Sequence, residues 1–89
     1  MFEVEWRPGA LNELTNAWLA ADGPGRQAIT AAVRRIDHAL SQNPLDTGES
    51  REGNRRIHFD APLVVVFRVF EATRRVRVSA TWPIPRRRS

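Results

Sequence analysis

A chain of 89 residues, 42% hydrophobic and 27% charged, is long enough for one small globular domain and too short for two. It has no cysteine, which excludes disulfides and thiolate metal sites, and its two histidines, His38 and His58, stand too far apart to suggest zinc. All 14 positive residues are arginine, and they are unevenly placed: residues 1–50 carry four against seven carboxylates, a net of −3, and residues 51–89 carry ten against three, a net of +7.

Positive charge gathered in one half calls for a polyanion as partner, either nucleic acid or an acidic protein segment. A solvated surface in an arginine-rich protein is the bland alternative. No apolar run reaches the length of a membrane span and no signal-peptide pattern opens the chain, so the expected compartment is the cytoplasm. No cofactor and no metal are expected.

Phe2-Glu3-Val4-Glu5-Trp6-Arg7 alternates apolar and charged residues and reads as a first strand, ended by Pro8-Gly9. From Ala10 onward, Leu11, Leu14 and Trp18 recur at helical spacing, and Leu19 widens the stripe. This helix should stop near Asp22-Gly23. A second helix follows, capped by Asp22 or Gly23, with Pro24 tolerated in its first turn. Its apolar stripe is Ile29, Ala32, Val33, Ile36 and Leu40, and Asn43-Pro44 ends it. The two helices form a hairpin expected to cover one face of a sheet. Residues 44–54 read as a long polar loop without periodicity.

The stretch from Asn54 to Trp82 reads as a three-stranded antiparallel meander. Leu63-Val64-Val65-Val66-Phe67 is a run of apolar, mostly β-branched residues that suits a strand covered on both faces at the centre of a sheet. Arg56-Ile57-His58-Phe59 and Arg75 to Trp82 alternate on either side of it. Alternation predicts Ile57 and Phe59 on the buried face with Arg56 and His58 opposite them. It likewise places Val76, Val78, Ala80 and Trp82 opposite Arg75, Arg77, Ser79 and Thr81. One face would be greasy and the other rich in arginine. The domain is expected to span residues 1–83, with 84–89 a basic, disordered tail.

This order of elements resembles the RelE/ParE superfamily of bacterial type II toxins. The likeness rests on the opening strand with Pro8 and Ala10-Leu11, on the stripe Ile29, Val33, Ile36, Leu40, and on Asn43-Pro44 and Gly48. It continues through Arg56-Ile57, Phe67-Arg68-Val69 and Val76-Arg77-Val78. The resemblance implies an α+β fold: an N-terminal strand, a two-helix hairpin, then a three-stranded antiparallel meander, with the helices on one sheet face. It also implies a toxin causing growth arrest, neutralised by an antitoxin, expected to be acidic, that wraps it with an extended, partly helical segment. Two activities are open. RelE-like members bind in the ribosomal decoding site and cleave messenger RNA without a metal, whereas ParE-like members inhibit DNA gyrase without catalysis. A decayed member that only binds its antitoxin is a third possibility.

Metal-free RNA cleavage needs a base, charge stabilisation on the phosphorane and a proton for the leaving oxygen. Arginine serves the second need through its bidentate fork and serves the others poorly. The chain has no Tyr, so the C-terminal tyrosine used by many members is missing. Val64 stands where members often place an arginine early in the third strand, and Arg55 and Arg56 stand in for lysines that flank the second strand in some members. His58 is then the candidate general acid or base, with Arg56 and Arg68 as phosphate clamps. Arg55, Arg75, Arg77, Trp82 and Arg86 are candidates for holding the nucleic acid. Arg68 has an alternative partner in Glu3 or Glu5, and Trp82 can serve the core instead of stacking on a base.

Overall fold

The computed structural model describes residues 1–84. Of the expected tail 84–89 only Ile84 is described, its amide donating to the Pro62 carbonyl at 2.8 Å; the rest, Arg86 included, falls outside the described residues. Strand β1 (Glu3–Trp6) leads into helices α1 (Pro8–Ala20) and α2 (Gly23–Gln42), followed by strands β2 (Glu49–Ser50), β3 (Arg55–Asp60), β4 (Leu63–Phe70) and β5 (Arg75–Pro83). All five strands share one sheet in the order β1-β5-β4-β3-β2. β1 runs parallel to β5, and the other pairings are antiparallel. Both helices pack on one face of the sheet, as the α+β expectation has it.

Local sequence explains the elements. Pro8 opens α1, where a missing N–H has no partner to lose. The Asp22 carboxylate caps α2 by accepting from the Gly25 amide at 2.8 Å. Asn43-Pro44 ends α2. The stripe Ile29, Ala32, Ile36 and Leu40 meets Leu63, Val65, Phe67, Val76 and Val78 of the sheet in one core. Phe67 and Ile36 are fully buried, and each such side chain contributes about 1.5–3 kcal/mol by leaving water.

Four expectations need correction. Of the stripe read on α1 only Leu14 packs toward the core: Leu11, Trp18 and Leu19 are exposed, and α1 settles on the sheet through Ala10, with Leu14 and Ala17 half-buried. Small side chains let the helix lie close to the sheet and leave the large ones outside. The polar loop is not structureless, because Glu49–Ser50 adds a fifth strand against Ile57 and Arg56.

The faces of β3 are reversed. His58 pairs with Val65 and Arg56 with Phe67, both core residues, and directly opposed residues share a face. Asp60, on the same side, binds Arg35 of α2 at 2.8 Å. Helix-side space at this edge of the sheet is thus filled by polar groups, while Ile57 and Phe59 point away from the helices. Donating to the Asp60 carboxylate also makes Arg35 hold its proton more firmly than usual, against a smaller opposing effect of desolvation.

The alternation of β5 breaks at Ser79. Val66 pairs with Ala80 but Phe67 pairs with Val78, so Ser79 is a bulge with no partner. Its hydroxyl donates to the Val66 carbonyl at 3.3 Å. Beyond the bulge the sides exchange: Thr81 turns into the core and donates to the Val64 carbonyl at 2.8 Å, and Trp82 joins the arginine side.

Candidate nucleic-acid interface

The sheet face away from the helices is open. Its central row runs across four strands as Glu5, Arg77, Arg68 and Arg55, given by the pairings Glu5 with Arg77, Arg77 with Arg68 and Arg68 with Arg55. Three guanidiniums in one row is an unfavourable arrangement for a bare sheet, since like charges directly opposite each other repel. One end of the row is compensated: Arg77 Nε donates to Glu5 Oε1 at 3.1 Å. The adjacent Arg75 lies 4.0 Å from Glu3. Arg77 also stands over the Phe70 ring, 5.1 Å from its centroid.

The other end is not compensated. Among the described residues Arg68 makes no ion pair. Arg55 is held by its own loop, its Nε donating to the Glu52 carbonyl at 3.1 Å. The two side chains converge on Gly53, where an added Cβ would lie 3.8 Å from Arg68 Nη2 and 4.0 Å from Arg55 Nε. Two exposed guanidinium groups flanking a residue with no side chain leave room for a phosphate or a carboxylate, which such forks bind bidentately. A cleft of about 400 Å³ beside Arg55 is lined by Leu45, Arg51, Arg55, Arg56, Val69 and Glu71 among others, and so belongs at least partly to the helix side of the sheet.

Toward the opposite end the same face turns apolar. Phe59, Val64 and Trp82 form one cross-strand row, and Ile57, Val66 and Ala80 form the next. Phe59 is 58% exposed and Trp82 40%, which leaves two aromatic rings on the surface flanking Val64. Four residues of extended strand separate Val64 from Arg68, or about 13 Å. The face is therefore composite, cationic at one end and aromatic at the other.

Among the residues read as functional, Arg55, Arg68, Arg75, Arg77 and Trp82 do lie together on this face. Arg56 and His58 do not, so the cluster of His58 with Arg56 and Arg68 is not formed. Arg56 is committed elsewhere: Nε and Nη2 donate to the carbonyls of Thr47 and Gly48, each at 3.0 Å, and Nη1 donates to Ser50 Oγ at 2.9 Å. The Gly48 backbone lies against His58, since a Cβ there would stand 3.0 Å from His58 Cβ. Sequence reading missed Phe59 as a surface group and Glu3 and Glu5 as counter-charges to Arg75 and Arg77. Aligning the strands by their registers would have found both. Among the described residues no group of His, Asp and Glu is placed to hold a metal ion, and no helix is long and apolar enough to cross a membrane.

No protein-family model matches the sequence, and no curated protein matches it either. The fold does have relatives among solved structures. The toxin–antitoxin complex RelBE2 from Mycobacterium tuberculosis superposes with a TM-score of 0.74 at 18% identity, over 92% of this chain and 90% of that one. The chromosomal ParDE toxin–antitoxin system of P. aeruginosa gives 0.75 at 16% identity, over 96% and 98%. The intact RelBE toxin–antitoxin complex of E. coli gives 0.66 at 13% identity, over 97% and 100%. The chain thus has the RelE/ParE fold, shared across nearly its whole length with both RelE-type and ParE-type systems.

Proposed function

We propose that this chain is the toxin of a type II toxin–antitoxin pair and that it binds RNA, messenger RNA on the ribosome, through the open face of its sheet. The observation that carries this reading is the row Arg55–Arg68–Arg77, with Arg68 lacking an ion-pair partner among the described residues. A surface that keeps like charges opposed loses stability, and an anionic ligand offsets that loss when bound. Arg68 and Arg55 take phosphate oxygens, and Arg75 and Arg77 follow the backbone. If the RNA is cut, the arginines stabilise the phosphorane. Proton transfer by His58 does not belong to this reading, because His58 faces the helices.

The antitoxin has its own surface. A groove of about 390 Å³ between the helices is lined by Leu14, Trp18, Ile29 and Val33, with Arg34 at its rim. Arg26 stands over the Trp18 ring, 4.3 Å from its centroid. An amphipathic helix with acidic flanks fits this combination of apolar floor and basic rim.

One observation favours a second reading. The aromatic end of the open face, Phe59 and Trp82 beside Val66, is also the composition of a protein-docking surface, as a ParE-like inhibitor of gyrase would need. Expression without antitoxin, followed by mapping of transcript 5′ ends and a translation assay, decides between them. Translation-dependent new ends, or stalled translation with RNA retained on the protein, support the RNA reading. Growth arrest with intact transcripts, normal translation and a DNA-damage response would replace it with the gyrase reading.

A further inference from the structure

We infer that Glu5, with Glu3 beside it, is an internal counter-anion that limits how tightly the open face holds RNA. The inference rests on the RNA-binding reading above. The pairing of β1 with β5 is parallel, the one such pairing among the described residues, and its register sets each carboxylate opposite an arginine: Glu3 against Arg75 and Glu5 against Arg77. The Glu5 carboxylate accepts from Arg77 at 3.1 Å, in the manner of a phosphate oxygen. An incoming phosphate therefore competes with a carboxylate that is already in place. Among the described residues it meets Arg68 and Arg55 without carboxylate partners and Arg77 occupied.

The alternative explanation is that Glu3 and Glu5 only guard an edge strand against pairing with another chain, which charged edge residues commonly do. That role requires charge on the edge, but it does not require ion pairs within the open face. The opposite edge strand gives a useful contrast, because Glu49 of β2 pairs with Arg51 of its own strand end and leaves Arg55 alone. Among the described residues only β1 sends carboxylates onto the arginines of the face. Strand spacing of about 4.8 Å puts Arg68 two strands from Glu5, within a Debye length of about 10 Å. The influence of Glu5 thus reaches the centre of the row and fades before its far end.

The test uses the full chain and a fluorescent ten-nucleotide oligouridylate, titrated at several salt concentrations. The variants are E5Q, E3Q/E5Q and D46N. Glutamine keeps the shape and the hydrogen bond of Glu5 while removing its charge, so folding is not at stake. Asp46 lies in the short turn of helix just beyond α2 and not on a strand of the sheet, and D46N makes the same change in net charge outside the arginine row. E5Q should bind about threefold tighter than wild type at low salt, the size of effect an exposed ion pair supplies. Its slope of log affinity against log salt should steepen by about 0.7, one further phosphate contact on a single strand. E3Q/E5Q should go further in both respects, and D46N should leave the slope unchanged. E5Q binding no more tightly than a wild type that does bind, or D46N matching E5Q, overturns the counter-anion alone. Failure of wild type and every variant to bind the oligomer removes the RNA reading and this inference with it.

Discussion

The Arg56 guanidinium is a structural clamp on the loop that precedes it: Nε donates to the carbonyl oxygen of Thr47 at 3.0 Å, and Thr47 is buried. With its bonds to Gly48 and Ser50, this one side chain ties β3 to the whole turn between α2 and β2. Arg56→Ala should therefore act on stability. Loss of charge-assisted bonds to partly buried carbonyls costs about 1–3 kcal/mol, read as a lower urea midpoint with unchanged slope. RNA affinity of the folded variant should fall less than for Arg68→Ala. An Arg56→Ala protein of wild-type stability that no longer binds RNA would return Arg56 to the binding site.

Gly48 closes the same turn from the other side. Its φ is +72°, and a Cβ added there would stand 3.0 Å from His58 Cβ and closer still to the Ile57 carbonyl. Two penalties combine, a left-handed backbone that disfavours any β-carbon and a clash with backbone that has no room to move. Gly48→Ala should cost about 2 kcal/mol or more, on the scale of strain at special backbone positions. Thermal unfolding measures it. A variant as stable as wild type would mean that the loop can leave β3 without consequence.

Just beyond the bulge at Ser79, the buried Thr81 hydroxyl donates to the Val64 carbonyl at 2.8 Å. Valine has nearly the same shape and no donor, so Thr81→Val isolates that bond. About 1 kcal/mol of stability should be lost, the usual net value of such a bond and somewhat more if the carbonyl stays dry. A neutral or stabilising outcome would show that packing alone sets the exchange of sides at Ser79.

Much of this architecture was legible in the sequence, and the places where it was not share a cause. The stripe of α2 has strong contrast and lies where it was read; the apolar run of β4 is central in the sheet, but only Leu63, Val65 and Phe67 of it meet the helices, while Val64 and Val66 lie on the open face. Alternation on β3 was equally clear but carried the wrong sign. Which side of a strand is buried depends on what covers it, and near this edge the helix side is filled by Arg35, Asp60, Arg56 and the Gly48 turn. On β5 the bulge falls in Ser79-Ala80-Thr81, three small residues with too little contrast in hydrophobicity to reveal an inserted position. One residue of slip then moves Trp82 from the expected core to the surface. The arginine row was visible only in pieces, because it is assembled by register across β3, β4 and β5.

Arg68 separates binding from folding. It interrupts an apolar strand, opposes Arg55 and Arg77, and among the described residues has no carboxylate partner. Arg68→Ala should leave stability unchanged or raise it slightly, because it relieves like-charge opposition worth a few tenths of a kcal/mol. Affinity for RNA should fall, the salt dependence should flatten by about one phosphate contact, and growth arrest should weaken. Arg68→Lys keeps the charge without the fork, so it should restore the salt slope but only part of the affinity. Full toxicity of Arg68→Ala in the absence of antitoxin would take the central row out of the mechanism.

Trp18 tests the opposite surface. It is 39% exposed, lines the groove between the helices and contributes little to the core, so its removal should cost the fold little. The Arg26 Nε bond goes to the Trp18 backbone carbonyl at 2.9 Å and survives truncation of the ring. In a protein interface, by contrast, a partly buried tryptophan beside an arginine is the kind of side chain that concentrates binding energy, about 2 kcal/mol or more. Trp18→Ala should therefore remain toxic while its antitoxin neutralises it at least tenfold less effectively, measured as the co-expression level that restores growth. RNA binding by the purified variant should match wild type, since the groove and the arginine row lie on opposite sides of the sheet. Equal neutralisation of Trp18→Ala and wild type would move the antitoxin off the interhelical groove, and the open sheet face would then be the next surface to examine.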